Sequence, residues 1–522
     1  MSEKFLVGIS PREYQEKIFE TCKEKNCLVV LPTGLGKTLI ALLASIDRLK
    51  KFPGEKVLFL APTKPLAEQH LNYFKKHLTE LFADIQLFTG QVNAKERKKI
   101  WRTAEIIFST PQCIANDLKN NLYDLKEVCL LVEDEAHKCL KNYDYNSVVK
   151  DYKINGKNQR IIGLTASPGS EILKIKDICR NLSIEEVELR TRESSDVRDY
   201  LQELEFKKIL LDFPKDFEEM RNSLKEVLDK YIKELKSRKL LFSFPSKTEL
   251  IKVQKRISVA LAKGRKNWNY MLGASTCAQS IKILHALELL ETQTLSGFNK
   301  YLKNLSDQAS KKQSKGVVKL VAKPEFRLTL YKSESMLRKN IEHPKVKELT
   351  KIINEERRKN NEIKIIVFTQ FRETAKIIAK EINNNGIKAK IFVGQAKKDG
   401  TGLNQKEQKK VIDEFSSGEV EVLCATCIGE EGLDIPEVNS VIFYEPVSSA
   451  IRAIQRAGRT ARLMKGKLII LLTKNTKDEI NYYVSRRREK KMYTAIDSIK
   501  KELTDNGSFG KTQKQKMMGS YL

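Results

Sequence analysis

Leu31-Pro32-Thr33-Gly34-Leu35-Gly36-Lys37-Thr38 sits between an apolar run that begins at Cys27 and a helix-compatible stretch from Leu39 to Lys50. Strand, glycine turn and helix in that order make the setting in which backbone N–H groups cradle a phosphate. Gly34 and Gly36 allow the backbone to approach phosphate oxygens, Lys37 suits the β- and γ-phosphates, and the Thr38 hydroxyl suits Mg²⁺. The general pattern opens on glycine, and this chain has Leu31 there. Taken alone, the octapeptide is either a nucleotide site with one departure or a glycine turn ending in Lys-Thr.

About a hundred residues on, the apolar run Val128-Cys-Leu-Leu-Val ends in Glu133-Asp134-Glu135-Ala136-His137. A nucleotide hydrolase needs one carboxylate at a strand end to hold Mg²⁺ and another to polarise water. Asp134 suits the metal and Glu135 the attacking water. The two features lie in a block from Cys27 to Cys179 whose short apolar runs, CLVVL, KVLFLAP, AEIIFST, VCLLVED and RIIGLTAS, alternate with helix-compatible stretches. Such runs predict buried parallel strands with crossover helices, and ligands at the strands' carboxyl ends. From about Tyr200 to Arg338 the pattern turns long, charged and helical, with a single strand-like run. After His343-Pro344 a second alternating block follows, with KIIVFTQF, KAKIFVG, VEVLCAT, SVIFYEP and KLIILLT.

The 522 residues carry 96 lysines and arginines against 67 aspartates and glutamates, a net charge of +29 that makes a polyanion a natural partner. A lysine-rich genome or a hot habitat is the plainer explanation of part of that excess. No apolar run approaches the roughly 18 residues of a membrane span, and Met1 to Gly8 is no signal peptide, so a cytosolic protein is expected. Nine cysteines are scattered; Cys424 and Cys427 have no second pair to complete a zinc site and are expected to be reduced core thiols.

The loop with Asp134-Glu135-Ala136-His137 resembles superfamily 2 helicases, in which the first loop position is commonly small or apolar. The resemblance implies an α/β fold of two RecA-like parallel-sheet domains, here separated by an all-helical insertion. Expected boundaries are 1–199 for the first domain, 200–340 for the insertion, 341–495 for the second domain and 496–522 for a basic flexible tail. It implies ATP and Mg²⁺ as ligands, with Leu31 to Thr38, Gly432 and Asp434 around the nucleotide. Ile9-Ser-Pro-Arg12-Glu-Tyr14-Gln15 is similar to the family's adenine-reading segment, through Arg12 and Gln15. Pro62-Thr63, Thr89-Gly90 and Thr110-Pro111 match motifs that hold the nucleic-acid backbone, as do Thr369 and Thr426 in the second block. Leu164-Thr165-Ala166-Ser167 matches the segment linking hydrolysis to strand movement. Gln455, Arg459 and Arg462 match the segment that brings arginine fingers to the γ-phosphate.

Within that superfamily the chain resembles the archaeal Hef and Fanconi anaemia M helicases, through DEAHK, TASPG, GEEGLDIPEVN and FYEPVSSAIRAIQRAGRTAR. That implies 3′ to 5′ movement on forked or branched DNA, in repair and restart of stalled replication and in an archaeal cytosol beside the nucleoid. Dicer and the innate-immune RNA sensors carry a similar insertion, so a duplex-RNA-dependent ATPase is the alternative. An XPF-type nuclease is not legible: Glu96-Arg97-Lys98 has Arg102 where that pattern needs aspartate, which leaves a separate nuclease as a partner. Gln515, Met518, Tyr521 and Leu522 resemble a peptide that docks on the sliding clamp PCNA.

Overall fold

The computed structural model describes residues 3–141, 143–201, 203–264, 267–360, 362–395, 402–426, 435–447, 449 and 465–506. Among the described residues the first sheet has seven strands: β1 (Cys27–Val30), β2 (Lys56–Leu60), β3 (Ile85–Phe88), β4 (Ile106–Ser109), β5 (Val128–Asp134), β6 (Ile161–Thr165) and β7 (Glu186–Leu189). They run parallel in the order β3-β4-β2-β5-β6-β1-β7. The expected apolar runs supply the five inner strands, which are buried along their length because helices cover both faces. The edge strands β3 and β7 were not legible. Each borders solvent on one side, so Gln86, Glu186 and Glu188 interrupt what would otherwise read as an apolar run.

The second sheet holds β8 (Leu204–Leu211), β9 (Ile365–Phe368), β10 (Ala389–Phe392), β11 (Val422–Ala425), β12 (Ser440–Phe443) and β13 (Gly466–Thr473), in the order β10-β11-β9-β12-β13-β8. Its outer strand β8 comes from before the insertion and pairs in parallel with β13 from Leu204↔Gly466 to Leu211↔Thr473. The stretch expected to open the helical insertion at residue 200 therefore starts by completing the second sheet. The insertion's helices begin at Lys215 and run Lys215–Ser237, Lys247–Ala262, Trp268–Thr292, Leu295–Ser310, Lys315–Val321 and Pro324–Arg338. They share one core, with Phe217, Leu224, Phe298, Leu302 and Phe326 at its centre.

The chain's last described helix, Lys477–Asn506, also crosses an expected boundary. It leaves the second sheet, and Met492, Ala495, Ile496, Ile499 and Leu503 then enter the core of the first domain. Lys176 and Glu502 pair across that contact at 2.6 Å. A flexible tail from residue 496 is thus corrected to a docked helix through Asn506: its apolar residues recur every three or four positions, between lysines that conceal them in composition. The eight described cysteines are buried and free; Cys427 lies outside the described residues. No described helix is long and apolar enough to cross a membrane.

Charge inside the insertion gives an acid-dependent test. Burial alone would raise the Glu288 carboxyl, but His285, 3.5 Å away, and Lys247, at 2.9 Å, outweigh it and lower its pKa to about 2. A depressed folded pKa contributes stability above the unfolded value, near 4.5, and loses it as pH falls toward 2. Glu288→Gln is expected to cost about 3 kcal/mol near neutral pH. Thermal midpoints of variant and wild type should converge as the pH is lowered from about 5 toward 3.

Candidate functional site

Thr165, at the end of β6, stands between the phosphate loop after β1 and the carboxylates ending β5. The Leu31 N–H donates to the Thr165 carbonyl at 3.0 Å, and Asp134 registers with Leu164. Leu31 itself is fully buried in the first domain's core with Leu35. The departure at the loop's first position is thus a packing residue, and no phosphate contact is lost with it.

The glycines are used for conformation. Gly34 and Gly36 have φ of +86° and +74°. A Cβ on Gly36 would lie 2.2 Å from the amide nitrogen of Gln15. Gln15 reaches the loop because its own ends are both engaged: Nε2 donates to the Leu35 carbonyl at 3.1 Å, and Oε1 accepts from the Arg12 N–H at 2.8 Å. The Tyr14 hydroxyl donates to the same carbonyl, and Arg12 lies over the Tyr200 ring. The adenine-reading segment is thereby hydrogen-bonded to the phosphate loop.

Within the loop, Lys37 donates to the carbonyls of Leu31 at 2.8 Å and Pro32 at 3.3 Å, and the Thr33 hydroxyl is buried without a partner among the described residues. An orphan hydroxyl beside an ammonium group and two left-handed glycines suits a phosphate. Pro32 and Thr33 also border a cavity of about 460 Å³ whose far wall includes Phe443, Tyr482 and Arg486, so the second domain faces the loop directly.

Asp134 ends β5, and Glu135 follows it in a different backbone state. Glu135 is left-handed at φ +51°, a conformation that costs a non-glycine residue on the order of 1 kcal/mol. Its Oε2 lies 3.2 Å from His137 Nδ1, which is also 3.2 Å from the Thr165 hydroxyl. Thr165 in turn bonds Ser167, so carboxylate, histidine and the Thr165-Ala166-Ser167 segment form one contact chain. Burial would raise the Asp134 carboxyl, but His70 and Lys37 more than offset it and keep it below its ordinary value. Asp134 Oδ2 is 2.9 Å from His70 Nε2, and the Thr38 hydroxyl is 3.3 Å from His70 Nδ1. Hydroxyl and carboxylate are hard oxygen donors of the kind Mg²⁺ takes, and here they meet the same imidazole.

The other half of the sheet carries the remaining motifs. Pro62-Thr63, Thr89-Gly90 and Thr110-Pro111 follow β2, β3 and β4, one edge of the first domain. Thr63 and Gly90 are exposed, Thr110 is half-buried, and Pro62, Thr89 and Pro111 are buried. Arg97 fastens this edge: it pairs with buried Asp117 and donates to the carbonyls of Thr89 and Val92. In the second sheet Thr369 and Thr426 directly follow β9 and β11, and both are buried. The Thr369 hydroxyl is 3.3 Å from Glu445 and 3.5 Å from Gln293, so it ties the sheet to the insertion and offers no surface to a nucleic acid in this arrangement. Gly432, Asp434, Gln455, Arg459, Arg462 and the peptide residues Gln515, Met518, Tyr521 and Leu522 lie outside the described residues.

Known proteins sort the same way. A DEAD/DEAH box helicase model matches residues 12–175, and a helicase conserved C-terminal domain model matches 344–464. A model described as "Putative ATP-dependent RNA helicase, helical bundle" matches 216–336. The crystal structure of the Pyrococcus furiosus Hef helicase domain is 44% identical, with a TM-score of 0.72, covering 91% of this chain and 98% of that one. The chain belongs to the Hef helicase family. A Methanocaldococcus jannaschii protein that carries the same RNA-helicase description is 39% identical over 94% of this chain and 61% of its own length. The ATP-dependent DNA helicase mph1 of Sclerotinia sclerotiorum is 32% identical over 93% of this chain and 41% of its own. For the Fanconi anemia group M protein homolog of Mus musculus the values are 31%, 94% and 26%. The chain thus spans from a quarter to six-tenths of these curated relatives.

Membership in the Hef family makes ATP the nucleotide expected at the loop. Four residues that position this site were not read from sequence: His70, Arg97, His137 and Gln293. In the sequence Arg97 stands only within a nuclease-like triplet, and His137 only as the last letter of DEAH. His70 and Gln293 had no motif around them; each matters through what the fold sets beside it.

Proposed function

We propose that the chain is an ATP-driven motor that moves along DNA, 3′ to 5′, and remodels forked or branched structures. The observation that carries this reading is the division of one sheet's carboxyl edge. Lys37, Thr38, Asp134 and Glu135 stand together at the ends of β1 and β5, and the backbone-contact motifs stand at the ends of β2, β3 and β4. Hydrolysis at one end of that edge has a rigid route to a strand held at the other.

In this reading Lys37 turns from the loop carbonyls to the phosphates, and Glu135 orients water and takes its proton. Thr38 and Asp134 would hold Mg²⁺, which would neutralise phosphate charge. Gln455, Arg459 and Arg462 approach from the second domain and add positive charge as the transferring phosphoryl group departs. The lysine-rich insertion grips duplex through phosphates, which makes binding strongly salt-dependent. The tail peptide with Gln515, Met518, Tyr521 and Leu522 docks on the sliding clamp, and a separate nuclease acts on the product.

A duplex-RNA reading has two descriptions in its favour, that of the matching helical bundle and that of the Methanocaldococcus jannaschii relative, both worded as RNA helicases. ATP turnover measured with forked DNA, a Holliday junction, linear duplex DNA and duplex RNA separates the two. Forked or branched DNA is expected to stimulate most, and greater stimulation by duplex RNA would replace the DNA reading. Unwinding of 3′-tailed but not 5′-tailed duplex is the expected direction.

A further inference from the structure

His70 lies six residues into the helix Lys64–His77, is 8% exposed, and belongs to no segment assigned to nucleotide or metal. Its ring packs on Phe59 with centroids 4.5 Å apart, which fixes its plane. One nitrogen meets the Thr38 hydroxyl and the other meets Asp134 Oδ2, the two groups that would hold Mg²⁺. A single tautomer satisfies both contacts: Nε2–H donates to the carboxylate, and Nδ1 accepts the threonine proton. That arrangement turns the Thr38 lone pairs away from the ring. Thr63, in the segment expected to touch nucleic-acid backbone, stands immediately before the same helix, and the helix's first residue, Lys64, reaches Gln91 at 2.6 Å, beside Thr89-Gly90.

We propose that His70 is a positioning residue for the cation site, orienting Thr38 and Asp134 together and linking them through its helix to the nucleic-acid edge. The inference rests on the proposed nucleotide site. A histidine behind a carboxylate ligand fixes the ligand's orientation and basicity, and losing such a partner costs metal affinity about 10–100-fold. His70→Ala should therefore weaken Mg²⁺ binding without disturbing the turn from Leu31 to Gly36, whose contacts to Gln15, Tyr14 and Thr165 do not involve this ring.

The test titrates Mg²⁺ into the full chain with a fluorescent ADP analogue, and no turnover is needed. The Mg²⁺ half-saturation is expected to rise about tenfold in His70→Ala, with binding of the analogue in EDTA unchanged. His70→Gln, which can still donate to Asp134, should recover part of the loss. Single-stranded DNA should shift the half-saturation of the wild type and not of His70→Ala. An unchanged or lower half-saturation in His70→Ala overturns the positioning role, and so does an equal loss of binding in EDTA. A DNA shift in both proteins, or in neither, overturns the link to the nucleic-acid edge. If the wild type binds no nucleotide, the proposed function itself falls; if it binds normally and the variant matches it, only this inference does.

Discussion

Glu135→Gln is expected to lower DNA-stimulated ATP turnover by about 10²- to 10⁴-fold, the usual contribution of a positioned general base. Glutamine keeps the size of the side chain and loses the ability to take a proton from water. The left-handed backbone at Glu135 comes from the turn after β5, so the substitution leaves the geometry of Asp134 and the loop in place. Binding of a fluorescent ATP analogue and of forked DNA should stay close to wild type while steady-state phosphate release collapses. Turnover near the wild-type rate would remove Glu135 from the chemistry. Loss of nucleotide binding in parallel would mean that its role is to support the loop.

Lys345→Met is expected to destabilise the unit formed by the second sheet and the insertion by about 3–5 kcal/mol, because it strands a buried carboxylate. Lys345 and Asp478 are both fully buried, 2.8 Å apart. Lys345 also donates to the Thr292 carbonyl at the end of an insertion helix and lies over the Tyr444 ring, while Asp478 Oδ2 accepts the Thr473 N–H. One ion pair therefore fastens the insertion, β13 and the helix Lys477–Asn506. Asp478 Oδ1 has no partner among the described residues, so once the ammonium group is gone the Thr473 N–H is the backbone donor left to the buried carboxylate, and it carries no compensating charge. The corresponding thermal transition should fall by several degrees in Lys345→Met. Adding Asp478→Asn should recover much of the loss, since neutralising both members removes the uncompensated charge. An unchanged midpoint in the single variant would show that the pair carries no net stability.

In the first sheet, legibility followed burial. β1, β2, β4, β5 and β6 are covered on both faces, and a strand in that position has little choice but to be continuously apolar, so all five showed in the sequence. β3, β7 and β8 lie at sheet edges, where water on one side removes that requirement. β8 misled most, because its place in the second sheet depends on a partner, β13, more than 250 residues away in the chain. The helix Lys477–Asn506 hid its docking face for a related reason. Its apolar positions are spaced for a helix, but the surface they meet belongs to the first domain.

The nucleotide residues were legible because their chemistry is local. A phosphate needs consecutive backbone N–H groups, two glycines free to adopt positive φ, and a lysine and hydroxyl at fixed offsets, and one octapeptide supplies them all. Asp134 and Glu135 were legible because a strand end presents its last residues together. Side chains drawn from separate elements could not be recognised that way. His70 becomes a neighbour of Thr38 and Asp134 only when the helix Lys64–His77 packs over the sheet, and Thr369 moves from an expected surface contact to a buried tie only when Gln293 and Glu445 close around it. The order of short-range chemistry is written in the chain; which of those groups are exposed, paired or brought face to face depends on packing between residues far apart in it.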